Sequence, residues 1–158
     1  MKILLQNKYL LDFLAAIMFF TRIPVNWQFF SNKPPNLTKA AWCFPLIGSV
    51  IGIISGIFGD ICLFFNLPIF LSCTIAITLS VIITGAFHED GLADMADGFG
   101  AGGSPAKINK IMHDSRLGTY GTVALTLGLL IRLGLVVSLV ELGYSIPCLL
   151  YTSDAADE

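Results

Sequence analysis

Charge is what this chain has little of. Lys, Arg, Asp and Glu make up 13% of its 158 residues, against roughly 25% in an ordinary soluble domain. Two consecutive stretches, Ala41–Asn66 and Leu67–Phe87, carry almost no charge. Each is longer than the roughly 20 apolar residues that cross a bilayer core, which excludes a soluble helical core. Basic clusters are absent too, and the formal net charge is −2, so nothing attracts nucleic acid. The cysteines, Cys43, Cys62, Cys73 and Cys148, have no metal-ligand spacing. They read as small hydrophobes, with no disulfide and no zinc site. Lys2 and Lys8 precede the apolar run Tyr9–Phe20, but Thr21-Arg22-Ile23-Pro24 follows in place of a small-residue cleavage site. That run is therefore expected to be retained.

What is present predicts an all-α, polytopic membrane protein with three full transmembrane helices and a short N-terminal interfacial or re-entrant segment. The short segment is Tyr9–Val25, limited by Pro24 and containing Asp12 and Arg22. A second runs from about Trp42 to Phe65. Its Gly48, Gly52, Ser55, Gly56 and Gly59 recur at helical intervals, a face on which helix backbones approach closely. The third runs from Leu67 to Phe87 after a turn at Asn66 and Pro68. The fourth, Thr119–Val140, is interrupted by Arg132. With the first segment not spanning, eight of the nine Lys and Arg residues fall on one side. That side is then cytoplasmic. The expected setting is the cytoplasmic (inner) membrane of a prokaryote, with the polar stretch from His88 to Gly118 facing the cytoplasm.

Chemistry concentrates in that polar stretch. Asp90, Asp94 and Asp97 stand at i, i+4 and i+7, within a narrow arc of one helix face. Stacked carboxylates repel one another unless a cation lies between them. Oxygen ligands without clustered cysteine favour Mg²⁺, with Mn²⁺ the alternative. Mg²⁺ also takes substrate phosphate as a ligand, and candidate phosphate binders follow: Lys107, Lys110, Ser115 and Arg116. Asp114 is a further metal ligand or a general base, and His88 and His113 are candidate proton carriers. Ser104-Pro105 reads as a helix start. The reaction class expected from this set is metal-assisted phosphoryl transfer.

Four motifs resemble the cobalamin synthase (adenosylcobinamide-GDP ribazoletransferase) family, in that family's order. They are FFTRIPV (Phe19–Val25), FPLIGSVIG (Phe44–Gly52), GAFHEDGLADMADGFG (Gly85–Gly100) and IMHDSRLGTYG (Ile111–Gly121). The resemblance implies transfer of adenosylcobinamide phosphate from adenosylcobinamide-GDP to the 5′ oxygen of α-ribazole or its 5′-phosphate, with release of GMP. It implies Mg²⁺ dependence, with Asp90, Asp94 and Asp97 on metal and diphosphate and Asp114 and Arg116 beside them. The base stays open between Asp114 and His88. Substrates, the lipid bilayer, other cobalamin-assembly enzymes and a second copy of the chain are the expected partners. The family's chain is longer, with more helices after the fourth segment, so this chain is expected to be truncated and inactive alone.

Residues 1–147 are read as one membrane-embedded domain. Cys148–Glu158 turns abruptly polar and resembles a translated reading frame of a transposase-type sequencing adapter, so 148–158 is expected to be a non-native tail. Two other classes compete. A CDP-alcohol phosphotransferase of lipid synthesis would need D-x-x-D-G-x-x-A-R, and Phe99-Gly100 follow Gly98 instead. A divalent-cation transporter would place its acids within the membrane, whereas these are expected at its edge.

Overall fold

The computed structural model describes residues 8–32, 34–114 and 116–146. The tail, Lys33 and Ser115 lie outside them. Eight α-helices and no strands occur among the described residues. Among the described residues helix α1 (Lys8–Phe20) has 13 residues, about 20 Å. Two short helices, α2 (Trp27–Phe30) and α3 (Leu37–Ala40), lead through a 3-10 turn (Ala41–Cys43) into α4 (Phe44–Phe64). Asn36 caps α3, its side chain accepting from Lys39 N–H at 3.1 Å, which satisfies a donor left free at the helix start. The stretch Leu37–Phe64, 28 residues, is long and apolar enough to span a membrane.

The small-residue face falls where the spacing predicts. Gly52, Ser55, Gly56 and Gly59 are buried on α4, and α4 packs against α5 (Ile69–Thr84). Asn66 and Pro68 turn the chain between them, with Asn66 in the left-handed region at φ 60°. One core joins Ala15, Ala16 and Phe20 of α1 to Ala40, Cys43, Ile47 and Ile51. A second joins Cys73, Ala76 and Ile77 of α5 to Val136 and Ile146. Asp12 is buried on α1, and the Trp42 indole N–H donates to its Oδ2 at 3.4 Å.

The third segment is interrupted. Helix α5 stops at Thr84, and α6 (Phe87–Ala101) leaves at 84° to it. The two count as one span only as a bent pair; the other full-length span is α8 (Thr119–Glu141). So two helices, or three with the bent pair, are able to cross. The bend sits at Gly85 and Ala86, with φ of 69° and 61°. Gly85 caps α5 in the left-handed region, where a missing Cβ costs nothing. A side chain there would also run into Arg22. The Arg22 backbone N–H donates to the Ile83 carbonyl at 2.9 Å, so the end of α1 satisfies backbone freed by the bend, as an apolar setting requires. Three of the four family-like motifs meet here: Phe20 packs edge-on against Phe44 at 4.6 Å and stacks on His88 at 6.0 Å, and Phe19 meets Phe87 at 5.0 Å.

Candidate phosphoryl-transfer site

Helix α6 places Glu89 and Asp90 in its first turn, where acids are favoured by the helix dipole. The chain then turns through Gly102 and Gly103 into α7 (Pro105–Met112), capped by Ser104, which accepts from Lys107 N–H at 3.4 Å. Helix α8 follows and packs antiparallel along α6, as two contacts show. Asp97 meets the start of α8, and Glu89, at the other end of α6, meets Arg132. Arg132 lies thirteen residues beyond Thr119, about 20 Å along the α8 axis. The acidic helix therefore lies alongside the first half of α8, itself a candidate span.

The three aspartates have different surroundings. Asp97 is buried, its Oδ2 accepting from Gly118 N–H at 2.7 Å and its Oδ1 from Gly121 N–H at 2.8 Å. A Cβ at Gly118 or Gly121 would collide with that carboxylate, so the glycine pair is what admits it. Asp90 and Asp94 line a cavity of about 270 Å³ with Ala93, Met112, His113, Asp114, Arg116 and Leu117. They also line a second, of about 750 Å³, lying between α6 and α8. Among the described residues no three His, Cys, Asp or Glu side chains are grouped to hold one ion. Asp90 and Asp94 remain as a carboxylate pair one helical turn apart. That suits Mg²⁺, which is commonly held by one or two carboxylates plus substrate phosphate oxygens.

Asp114 and Arg116 form a local pair. Arg116 Nε lies 3.1 Å from Asp114 Oδ1, its Nη2 donates to Oδ2 at 2.7 Å, and its backbone N–H donates to Oδ1 at 3.2 Å. Those side-chain hydrogen bonds, then the backbone one, hold the Asp114 carboxyl below the usual carboxylate range, with a smaller contribution from Lys110. Arg116 is raised in turn. Asp114 is thus a carboxylate throughout the neutral range. The guanidinium has five N–H donors and keeps some of them for another anion. Lys107 and Lys110 are exposed on α7 and line neither of these two cavities. His113 closes α7, its Nδ1 lying 2.8 Å from the Asn109 carbonyl. His88 lines the larger cavity.

Two features escape a reading by spacing. Glu89, about 100° off the Asp90 face, reads in the sequence as a harmless variation; here it faces Arg132, Oε1 to Nη1 3.8 Å, with side chains 16% and 21% exposed. Gly118 and Gly121 carry a signal, Gly-x-x-Gly opening an apolar helix, but nothing local names Asp97 as their partner.

Comparison with known proteins gives a consistent result. The family model described as cobalamin-5-phosphate synthase matches residues 12–155. An adenosylcobinamide-GDP ribazoletransferase of Xanthobacter autotrophicus is 44% identical over 134 residues, covering 82% of this chain and 50% of that protein. Proteins of the same name from Clostridium botulinum strain Loch Maree and Leptospira interrogans are 41% and 42% identical, over 88% and 82% of this chain and 55% and 48% of theirs. The chain thus spans about half the length of these curated relatives. No solved structure matches it significantly.

Proposed function

Because the chain belongs to the cobalamin-5-phosphate synthase family, we propose that it carries the phosphoryl-transfer site of an adenosylcobinamide-GDP ribazoletransferase. The observation that supports this best is the gathering of Asp90, Asp94, His113, Asp114 and Arg116 around one polar cavity. In the proposed reaction the 5′ oxygen of α-ribazole, or of its 5′-phosphate, attacks the phosphorus that bears cobinamide. The bond from that phosphorus to GMP breaks, GMP departs with the electron pair, and the hydroxyl proton passes to a base, Asp114 or His88.

Asp90 and Asp94 would hold Mg²⁺, or Mn²⁺, against the diphosphate. Bound there, the ion neutralises charge on the phosphate oxygens. Asp97 keeps α6 fixed to the start of α8. Arg116 grips a phosphate oxygen with the N–H groups that Asp114 leaves free. Lys107 and Lys110 would add positive charge to attract the phosphates, and the Ser115 hydroxyl would be a further hydrogen-bond donor to them. The site faces the cytoplasm from the inner membrane, within reach of other cobalamin-assembly enzymes or a second copy of the chain.

The test uses the product of the complete gene, solubilised with Mg²⁺ and given adenosylcobinamide-GDP and α-ribazole. GMP and cobalamin are the expected products; failure to release GMP overturns the reading. Asp94→Asn is expected to insert normally and lose turnover by about 100-fold or more, the scale on which a charge-stabilising group acts. Wild-type rates in that variant would remove Asp94 from the metal site.

A further inference from the structure

Two cavities share Asp90 and Asp94 in their walls, and their other walls differ in kind. The smaller continues through His113, Asp114 and Arg116. The larger continues between α6 and α8 along Leu92, Met95, Leu125, Leu129 and Leu135, with Glu89 and Arg132 inside it. We propose that the larger cavity is the subsite for the acceptor, a nucleoside with an apolar aromatic base, and the smaller one the subsite for the donor's diphosphate. The assignment rests on the transfer reading above.

Chemistry sorts the two ligands. A diphosphate needs cationic and N–H donors; the smaller cavity offers the exposed Arg116, whereas Arg132 in the larger one is mostly buried and faces Glu89. A corrin rim is ringed with amides, each of which costs free energy to bury without a hydrogen-bond partner; leucine walls supply none. An apolar aromatic base carries far fewer such groups, and its ring carbons gain by leaving water. The volume, about 750 Å³, falls in the range that encloses compact organic ligands, roughly 300–1,000 Å³. Ribose hydroxyls also find an acceptor, since Glu89 Oε2 is buried with no hydrogen-bond partner. With the base in the leucine-lined part, the sugar lies toward Asp90 and Asp94, the residues the two cavities share. That is where the attacking oxygen and the phosphorus have to meet.

Leu129→Trp fills the larger cavity, and Arg116→Ala opens the smaller. In the complete protein, Leu129→Trp is expected to raise KM for α-ribazole by about tenfold or more and to leave KM for adenosylcobinamide-GDP unmoved. Arg116→Ala is expected to show the reverse. Leu125→Phe, a milder filling, guards against misfolding and should shift the same constant in the same direction. Direct binding of α-ribazole without donor, followed by its own fluorescence, should weaken in parallel. A rise in donor KM alone for Leu129→Trp would overturn the assignment. So would no change in either constant, which would leave that wall to lipid chains. Absent turnover with α-ribazole still bound by wild type and released by Leu129→Trp would overturn the transfer reading while sustaining the subsite.

Discussion

Asp97 is held by two backbone donors at once. Gly118 and Gly121 each give an N–H to a different carboxylate oxygen, so the side chain works as a clasp at the start of α8. Asparagine has the same shape but only one oxygen, and its NH₂ would face the second N–H. Asp97→Asn is therefore expected to destabilise the protein by about 1–3 kcal/mol, the cost of one buried donor left unpaired. Unfolding in detergent measures this, and an unchanged midpoint would show that those N–H groups do not depend on the carboxylate. The common face of Asp90, Asp94 and Asp97 was legible from their spacing, because helical geometry sets it locally. The divergence of Asp97 was not, since its partners lie 21 and 24 residues along the chain and meet it only after α7 folds back. Asp114 and Arg116 lie two residues apart, so their adjacency was open to reading in advance.

Helix α6 also meets α8 through a pair that neither helix announces alone. Glu89 on α6 and Arg132 on α8 are both mostly buried, and no other charge stands in α8 before its last residue, Glu141. Removing one partner strands the other's charge in an apolar setting. Glu89→Gln is expected to cost about 3 kcal/mol, near the low end for breaking a buried pair. Arg132→Met should cost a similar amount, and the double variant Glu89→Gln with Arg132→Met less than the sum of the two. The cycle is read by denaturant titration in detergent; strictly additive effects would mean the charges do not interact. The sequence marked Arg132 as an interruption and Glu89 as incidental because each has its partner on another helix. The end of the third segment was similarly hidden. Apolarity runs on through Phe87, and only the left-handed pair at Gly85 and Ala86 stops α5 early.

For the whole molecule, the hairpin of α4 and α5 sets an axis with unlike ends. The Asn66 end has no Lys or Arg nearby, whereas the other carries Lys39, Arg22 and, beyond α6, Lys107, Lys110 and Arg116. Cytoplasmic loops collect Lys and Arg, which predicts Asn66 outside and the proposed transfer site inside. The argument needs α4 to cross fully and the bent α5–α6 pair to return, although neither α5 nor α6 alone is long enough to count as a span. Single cysteines at Asn66 and Lys110, with Cys43, Cys62, Cys73 and Cys148 replaced by Ala, separate the cases in intact cells. A membrane-impermeant thiol reagent is expected to label Asn66→Cys before lysis and Lys110→Cys only after it. The opposite pattern would put the site outside, away from any cytoplasmic nucleotide. Labelling of both from outside would mean that the bent pair turns back without crossing, and that a helix broken at 84° serves as a re-entrant arm lying against α8.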